Sequence, residues 1–396
     1  MNTLFTRRGF LKTAGIITAG VTLGRFDDLV ASENKPIIFP EKKKDLILLT
    51  SRPPQLETPL PYFKELITPN DALFVRWHLA NIPTSVDLNQ WKLKVNGNVD
   101  EELTLSMDDL KNKFEKATYT AVIQCSGNGR SFFEPRVPGG QWKNGAMGNV
   151  TWGGVRLKDI LAGAGIKGGS VEIAFDGLDT GPLPSVPDFI KSLSVDKALE
   201  DDIIIAYEMN GGRLTMLNGF PVRLIVPGWY ATYWVKALDT ITVQPKQFDG
   251  FWMKTAYRIP DNACACIPGG SKPQKTVPIN RMNVRSLIID PADGQKIKTN
   301  KPTEIMGLAF SGGYSIKDVL VSVDEGRTWK EARLGQDKGR YSWVQWFYPW
   351  RPAKPGRYTI MARAVNSIGE SQPMESLWNP AGFMRNKIEK IEVNVG

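Results

Sequence analysis

Apolar and polar residues alternate with a period of two through much of the chain, and this pattern predicts short β-strands separated by turns. The alternation is regular in Trp91–Val95 and ends at Asn96-Gly97, a dipeptide typical of tight turns. Pro221–Pro227 is a mostly apolar run bounded by prolines, which indicates a buried strand. Glycine (37 residues) and proline (27 residues) are abundant, and this composition favours turn-rich β structure over a helical bundle.

Short helical segments interrupt the strands in the first two thirds of the chain. Ser106 is a suitable N-cap for a helix that runs through Leu110, and Val155–Ala164 is a second candidate helix. Residues 32–70 are polar and rich in proline, so we expect an extended segment there. Because the strands and helices do not form a regular βαβ repeat, residues 32–270 are predicted to be an α+β domain.

The pattern changes at residues 267–280, where Pro268-Gly269-Gly270 and Pro273 indicate a linker. Beyond the linker, turn signals such as Pro355-Gly356 separate segments that all have strand character. The predicted strands are Val284–Ile289, Thr303–Ala309, Asp318–Val323, Ser342–Phe347, Tyr358–Ala364 and Ile388–Val395. Short strands in this number and spacing favour an immunoglobulin-like β-sandwich, to which we assign residues 271–396.

The first residues have the features of an export signal. Thr6–Lys12 resembles the twin-arginine motif, and the weakly apolar stretch Ala14–Leu23 follows it, with Ala31 as a possible cleavage point. The apolar stretch is too short to span a bilayer. We therefore expect residues 1–31 to be a signal peptide and the mature chain to be exported folded to the periplasm, without a membrane span.

Charge and residue usage exclude several classes of protein. The net charge is +9, but the 50 lysines and arginines are scattered among 41 acidic residues, which is not the dense basic pattern of nucleic-acid binding. The chain has a single histidine, His78, and it lacks the nucleophile-elbow, P-loop and dinucleotide-binding motifs. A histidine-rich zinc site is excluded for the same reason. A mildly basic surface that attracts small anions fits better.

Three cysteines and two arginines are the main candidates for chemistry. Cys125 lies in the glycine-containing loop Gln124–Arg130, where a soft thiolate is close in sequence to an arginine that can bind an oxyanion. Alternation places Arg76 and His78 on the same face of a strand-like segment. Cys264 and Cys266 could be reduced, form a local disulfide or pair with another group. The chain has no C-x-x-C-H motif, so we expect no covalently attached haem.

Several longer blocks carry a family resemblance. They are Phe74–Leu79, the Cys125 loop, Gly145-Ala146, Trp152–Leu161, Phe175–Asp179, Ala206–Gly211, Gly219–Arg223, Ser322–Trp329 and Trp378-Asn379-Pro380. In this order they resemble the sulfite oxidase family of molybdenum enzymes, most closely the bacterial periplasmic sulfite dehydrogenases. The resemblance implies an α+β molybdopterin-binding domain followed by an immunoglobulin-like dimerisation domain.

The resemblance also implies residue roles. Cys125 falls at the position that binds molybdenum through sulfur, which agrees with the softness of a thiolate. Substrate-site and catalytic positions are matched by Arg76, Arg130 and Tyr207, and Trp142 matches a wall of the anion pocket. The other positions implied to bind the pterin cofactor are Phe74, Arg76, His78, Asp179, Asn218, Arg223, Trp234 and Lys236.

Two positions depart from the pattern of the animal enzymes. Asn218 replaces a histidine that contacts the pterin, and Ala381 replaces an arginine of the anion pocket. Arg385 is the nearby candidate to restore that charge. The animal haem domain has no counterpart in this sequence.

The function implied is the oxidation of sulfite to sulfate at a molybdenum cofactor. Electrons would then pass singly to a separate periplasmic c-type cytochrome, and the dimerisation domain implies a homodimer. One alternative is a sulfane dehydrogenase subunit of a thiosulfate-oxidising system. Another, from a different class, is an exported binding protein that works without a cofactor.

Overall fold

Residues 41–43 and 45–396 are described by the structure, a computed structural model. The predicted signal peptide, residues 1–31, lies outside these ranges. Within them, no helix has the length and apolar character needed to cross a bilayer.

The first part of the chain, which is called the catalytic part below, begins with strands that follow each other at short intervals. Their bounds are β1 Ile47–Ser51, β2 Pro54–Glu57, β3 Val75–Arg76, β4 Leu93–Gly97, β5 Leu103–Leu105, β6 Lys116–Gln124, β7 Met147–Arg156, β8 Glu172–Gly177, β9 Lys191–Ser194, β10 Ile204–Met209, β11 Gly212–Arg213, β12 Arg223–Ile225, β13 Leu238–Gln244, β14 Arg258–Pro260 and β15 Thr276–Pro278. Two five-stranded sheets organise this part. One has the order β11-β10-β7-β6 with β12 also paired to β10, and the other has the order β5-β4-β13-β8-β9.

The helices of the catalytic part are short. The α-helices are α1 Met107–Asn112, α2 Leu157–Ala164, α3 Val195–Ala198 and α4 Phe251–Lys254, and 3₁₀ turns occur at Leu60–Lys64, Arg130–Phe132, Met216–Asn218 and Ala231–Tyr233. Ser106 caps α1 as predicted, because its hydroxyl accepts the Asp109 N–H while the Asp109 carboxylate accepts the Ser106 N–H. The second predicted helix begins two residues later than expected, since Val155 and Arg156 still belong to β7.

The C-terminal part consists of two stacked sheets. Its strands are β16 Arg285–Asp290, β17 Lys296–Ile297, β18 Thr303–Phe310, β19 Ile316–Ser322, β20 Lys330–Glu331, β21 Arg333–Leu334, β22 Val344–Trp350, β23 Gly356–Asn366 and β24 Glu389–Val395. The orders are β16-β18-β22-β21 and β17-β24-β23-β19-β20. The predicted strands and the β-sandwich are thereby confirmed, and so is the α+β class of the preceding part.

The sandwich sheet β16-β18-β22-β21 is apolar on both faces, so one face packs on the catalytic part and the other on the sandwich core. Leu287 and Leu308 pack into the core of the catalytic part. Their neighbours along the strands, Ile288 and Ala309, pack into the core of the sandwich. The predicted linker is also ordered, because β15 pairs antiparallel with β14. The sandwich is therefore fixed against the catalytic part rather than tethered to it.

Candidate active site

Cys125 lies directly after β6 and is held by its own backbone. Its N–H donates to the Ala146 carbonyl at 2.9 Å, and its carbonyl accepts the Asn128 N–H at 3.0 Å. Asn128 also binds the opposite strand, since its side-chain oxygen accepts the Ala146 N–H at 3.0 Å. The thiol is buried and is not part of a disulfide. The loop is therefore a rigid support for a reactive sulfur.

Two glycines shape the Cys125 loop, and one of them makes room for Arg130. Gly129 has a φ of +87°, a conformation that glycine adopts without strain. A Cβ atom on Gly127 would lie 2.5 Å from a guanidinium nitrogen of Arg130. The local sequence thus allows the loop to curl around the arginine side chain.

A cavity opens beside Cys125. Its lining combines apolar, polar and cationic side chains: Phe74, Arg76, His78, Ile123, Cys125, Ser126, Leu217, Asn218, Arg223, Ala231, Thr232, Lys236 and Tyr257. The structure therefore brings together seven of the residues proposed from the sequence, although they come from segments far apart in the chain. Those seven are Phe74, Arg76, His78, Cys125, Asn218, Arg223 and Lys236.

Burial of cations is the main electrostatic feature of the cavity. Burial lowers the pKa of Arg223 to about 9. Burial also lowers the pKa of Lys236, and the nearby Arg223 adds to this effect. The Arg223 side chain donates to the carbonyls of Asn218, at 2.9 Å, and Trp234, at 3.0 Å. Because desolvated cations are costly without a counter-charge, the cavity is suited to an anionic ligand.

His78 and Tyr257 form a hydrogen-bonded pair at the cavity wall. His78 Nε2 and the Tyr257 hydroxyl are hydrogen-bonded, and the His78 ring stacks on Phe189 at 3.7 Å between centroids. Burial, reinforced by the charges of Arg76 and Lys236, lowers the pKa of His78 well below its usual value. The imidazole is therefore neutral at pH 7.

Tyr257 was not among the residues proposed from the sequence. It has a φ of +57°, and its ring stacks on Phe383 of the C-terminal part at 5.3 Å. Burial raises its pKa, whereas the cations Arg76 and Arg130 lower it. Phe248, Phe251, Trp252 and Tyr257 lie close together in the sequence, but neither the left-handed backbone nor the contact with Phe383 can be read from local sequence.

Tyr207, the tyrosine proposed from the sequence, does not line the cavity. It lies on β10 with its ring beside the Lys111 ammonium of α1, 5.8 Å from the ring centroid. A register shift between Ala206 and Glu208 interrupts the pairing of β10 with β7 at this point. Tyr207 therefore does not belong to the lining of the cavity, where Tyr257 lies instead.

Three other proposed residues lie one layer behind the cavity lining. Trp142 is fully buried and packs edge-on against Phe74, with centroids 6.4 Å apart. Trp234 contributes its backbone carbonyl to Arg223. Asp179 is buried, which raises its pKa, and the charge of Lys236 opposes this rise. These residues position the lining rather than form it.

Arg130 is close to the cavity and is held by both parts of the chain. Its Nε donates to the Ala381 carbonyl at 3.1 Å and its Nη1 to the Gly140 carbonyl at 3.0 Å. Its guanidinium also lies over the Phe383 ring at 5.2 Å. Burial lowers the pKa of Arg130, while the Cys125 thiol and Tyr257 raise it. Position 381, where a side-chain cation was missing from the sequence pattern, thus contributes a backbone acceptor.

The structure contradicts the suggestion that Arg385 replaces the missing charge. Arg385 pairs with Glu389, and its guanidinium stacks over the exposed Phe132 ring. It lines a separate cleft with Phe132 and Glu389. Because it lines this separate cleft, Arg385 adds no cation to the Cys125 cavity.

The alternatives for Cys264 and Cys266 are resolved as a disulfide between the two residues. The next residue, Ile267, donates its N–H to the Trp378 carbonyl at 2.8 Å. Among the residues that the structure describes, no cluster of metal-ligating side chains of the zinc type is found.

Comparison with known proteins gives consistent matches. Residues 79–252 match the model of the oxidoreductase molybdopterin binding domain, and residues 276–396 match the Mo-co oxidoreductase dimerisation domain. The sulfite oxidase of Gallus gallus is 33% identical over 363 residues, which are 87% of this chain and 77% of that protein. The mitochondrial sulfite oxidase of Homo sapiens is 33% identical over 360 residues, but this chain covers only 63% of it.

A solved structure is similar over most of the chain. The sulfane dehydrogenase SoxCD from Paracoccus pantotrophus has a TM-score of 0.73 and 26% identity, and the match covers 91% of each chain.

The residues of the cavity fit a molybdopterin. Within the described chain, the buried atoms His78 Nδ1, Ser126 Oγ and Arg223 Nε have no hydrogen-bond partner, so polar groups of a ligand can satisfy them. The buried cations suit a phosphate, and the Cys125 sulfur suits a soft metal. The matched models, the relatives and this donor set agree that the chain belongs to the sulfite oxidase family of molybdopterin-dependent oxidoreductases.

Proposed function

We propose that this chain oxidises sulfite to sulfate at its molybdenum cofactor. The observation that carries the proposal is the convergence of Cys125, Arg76 and the His78–Tyr257 pair on one cavity. The names of the relatives, sulfite oxidases at 33% identity, support sulfite as the substrate.

The lining residues have distinct roles in holding the cofactor. Cys125 Sγ would bind the metal, while Arg223 and Lys236 would neutralise the anionic pterin. When bound, the cofactor supplies two-electron redox chemistry with oxygen transfer to sulfur. The chain contributes binding, orientation and a fixed electrostatic field.

Two arginines would bind the substrate anion. Arg76 lines the cavity, and Arg130 lies close enough to Cys125 and Tyr257 for their charges to affect its pKa. A guanidinium binds a pyramidal oxyanion through two parallel N–H groups. Since the carbonyls of Ala381 and Gly140 fix Arg130, little side-chain entropy is lost when the anion binds.

The Tyr257 hydroxyl is the proposed proton donor and acceptor beside the reacting atoms. It is hydrogen-bonded to a neutral imidazole, which orients the hydroxyl for proton exchange with the reacting atoms. This assignment replaces the one made for Tyr207.

The electron acceptor, location and assembly complete the proposal. Because the sequence has no haem-attachment motif, electrons would leave one at a time to a separate c-type cytochrome. The twin-arginine pattern in residues 6–12 favours the periplasm. The match of residues 276–396 to a dimerisation domain supports a homodimer.

The test is a steady-state assay of purified protein from a host that makes the cofactor. We expect molybdenum and pterin in the protein, and sulfite-dependent reduction of ferricyanide or of a c-type cytochrome. Loaded protein without sulfite-dependent reduction would refute the substrate assignment. Protein without molybdenum would instead favour a cofactor-free binding protein, although that alternative gives the buried cations of the cavity no anionic ligand.

A sulfane dehydrogenase is the second candidate, favoured by the similarity to SoxCD over 91% of both chains. The two activities differ in the size of the substrate, since a sulfane sulfur carried on a protein requires a wide entrance. Parallel assays with free sulfite and with a protein-bound persulfide would separate them. Turnover of the persulfide alone would assign the second activity.

A further inference from the structure

Lys42 is a buried cation that the sequence did not connect with the site. Its side chain is 8% exposed, which is unusual for lysine. The ammonium donates to the carbonyls of Asn70, at 2.7 Å, and Leu73, at 3.1 Å, and to the side-chain oxygen of Asn218. These three partners are uncharged oxygens, and one of them belongs to Asn218, which lines the cofactor cavity.

The contact with Lys42 determines which way the Asn218 amide faces. An ammonium can only donate hydrogen bonds, so the group facing Lys42 must be the amide oxygen. The Thr215 hydroxyl also donates to this oxygen, at 2.8 Å. Two donors on Oδ1 leave the amide NH₂ group on the side away from Lys42, and Asn218 itself lines the cavity.

The neighbours of Lys42 and Asn218 extend this support. Glu41 accepts the Leu217 N–H at 3.3 Å, so residues 41 and 42 both grip the 3₁₀ turn Met216–Asn218. The Asn218 carbonyl in turn accepts a hydrogen bond from Arg223. The N-terminal segment is thus connected to two residues of the cavity wall.

We propose that Lys42 is a positioning residue for the cofactor, fixing Asn218 so that its NH₂ group faces the pterin and its carbonyl holds Arg223. The inference rests on the proposed function, since it assumes that the cavity binds the molybdenum cofactor. Burial lowers the pKa of Lys42 to about 7, and Arg223 contributes to this effect. An anion bound in the cavity would stabilise the charged form of Lys42, so protonation of Lys42 and binding of the cofactor favour each other.

The test compares Lys42→Met with Lys43→Met in the full chain, produced in a host that makes the cofactor. Lys43 is the matched control, because it is 38% exposed and pairs with Asp71 at 3.6 Å. Molybdenum and pterin per protein, and the rate of cofactor loss on dilution, are measured for each. Substitution of a residue that supports the ligands of a metal site typically lowers metal affinity about 10- to 100-fold. We therefore expect the cofactor to be lost at least about 10-fold faster from Lys42→Met. The control should match the wild type.

A second variant protects the test against misfolding. Asn218→Asp keeps an acceptor for Lys42 but has no NH₂ group and adds a negative charge, so we expect cofactor loss together with a melting temperature of the cofactor-free protein that is no lower than the wild-type value. Wild-type cofactor retention in both Lys42→Met and Asn218→Asp would overturn the role of Lys42. A wild-type protein that never contains molybdenum would overturn the cofactor assignment, and this proposal with it.

Discussion

The sandwich core and the walls of the cavity bury different kinds of groups. The sandwich core contains Ile305, Val319 and Trp346, all fully buried, and the Trp346 indole N–H donates to Ser286 at 2.9 Å. The walls of the cavity instead bury cations such as Arg223, together with polar atoms that have no partner among the described residues. Burial of apolar surface stabilises a fold, whereas burial of unpaired cations destabilises it. The comparison separates residues that hold the chain together from residues arranged for a ligand.

Removal of the Cys125 sulfur should have the largest effect. In Cys125→Ser the soft ligand is replaced by a hard, neutral hydroxyl, so we expect sulfite turnover to fall to background while the melting temperature stays near the wild-type value. Turnover is measured with ferricyanide, and folding by circular dichroism. Wild-type turnover in this variant would rule out Cys125 as the metal ligand.

The two tyrosines give the next largest contrast. Tyr257→Phe removes the hydroxyl that is hydrogen-bonded to His78, and loss of a general acid–base group typically lowers the rate about 10²- to 10⁴-fold. Tyr207→Phe is the matched control, because its ring packs beside Lys111 and not in the cavity. Turnover rates are compared at saturating sulfite. A large loss in Tyr207→Phe with none in Tyr257→Phe would restore the assignment made from sequence.

A change in the sandwich core should affect stability without affecting chemistry. Ile305 is fully buried, and Ile305→Ala removes buried methyl groups and leaves a cavity, which costs about 2–5 kcal/mol. We expect the free energy of unfolding in urea to fall by this amount, while kcat per folded molecule is unchanged. A parallel loss of kcat would mean that the sandwich controls the geometry of the site.

Arg130 should show a smaller effect, confined to the use of substrate. Arg130→Gln removes a charged contact worth about 1.5–3 kcal/mol, so kcat/KM for sulfite should fall roughly 10- to 150-fold. Arg136→Gln is the control, since Arg136 is exposed and contacts Gln141. Equal kcat/KM values in the two variants would place Arg130 outside the substrate site.

Local patterns in the sequence predicted the fold better than the site. Alternation located the strands of the sandwich, and Ser106 marked the start of α1, because these signals depend on neighbouring residues. The choice between Tyr207 and Tyr257 depends instead on a register shift in β10 and on stacking against Phe383 from another part of the chain.

Matches at single positions of the sequence likewise could not identify the residues that position the cavity lining. Lys42 and Asn218 are 176 residues apart, and no periodicity connects them. Arg385 is close in sequence to Ala381, but it lines a separate cleft, where it pairs with Glu389. Contacts of this kind follow from tertiary packing, so the residues of the cavity could not all be identified without the three-dimensional structure.

The smallest predicted effect concerns the pH dependence of stability. Burial lowers the pKa of Lys191 to about 7, and its ammonium donates to the Trp252 carbonyl at 2.6 Å. An unfolded lysine titrates near 10.4, so between pH 7 and 10 the unfolded state binds more protons than the folded state. The free energy of unfolding should therefore rise with pH in this window, by up to about 1.4 kcal/mol per pH unit from this group.

Lys191→Met should reduce that rise, because the substituted side chain cannot bind a proton in either state. The free energy of unfolding of cofactor-free protein is measured in urea at pH 7 and pH 9. Lys254→Met is the control, since the Lys254 side chain is 69% exposed, and it should keep the wild-type slope. An unchanged slope in Lys191→Met would show that Lys191 keeps its charge in the folded protein above pH 7. Burial of the Lys191 cation would then cost less free energy than the lowered pKa values of the cavity cations imply. The contrast between the sandwich core and the cavity walls would be smaller.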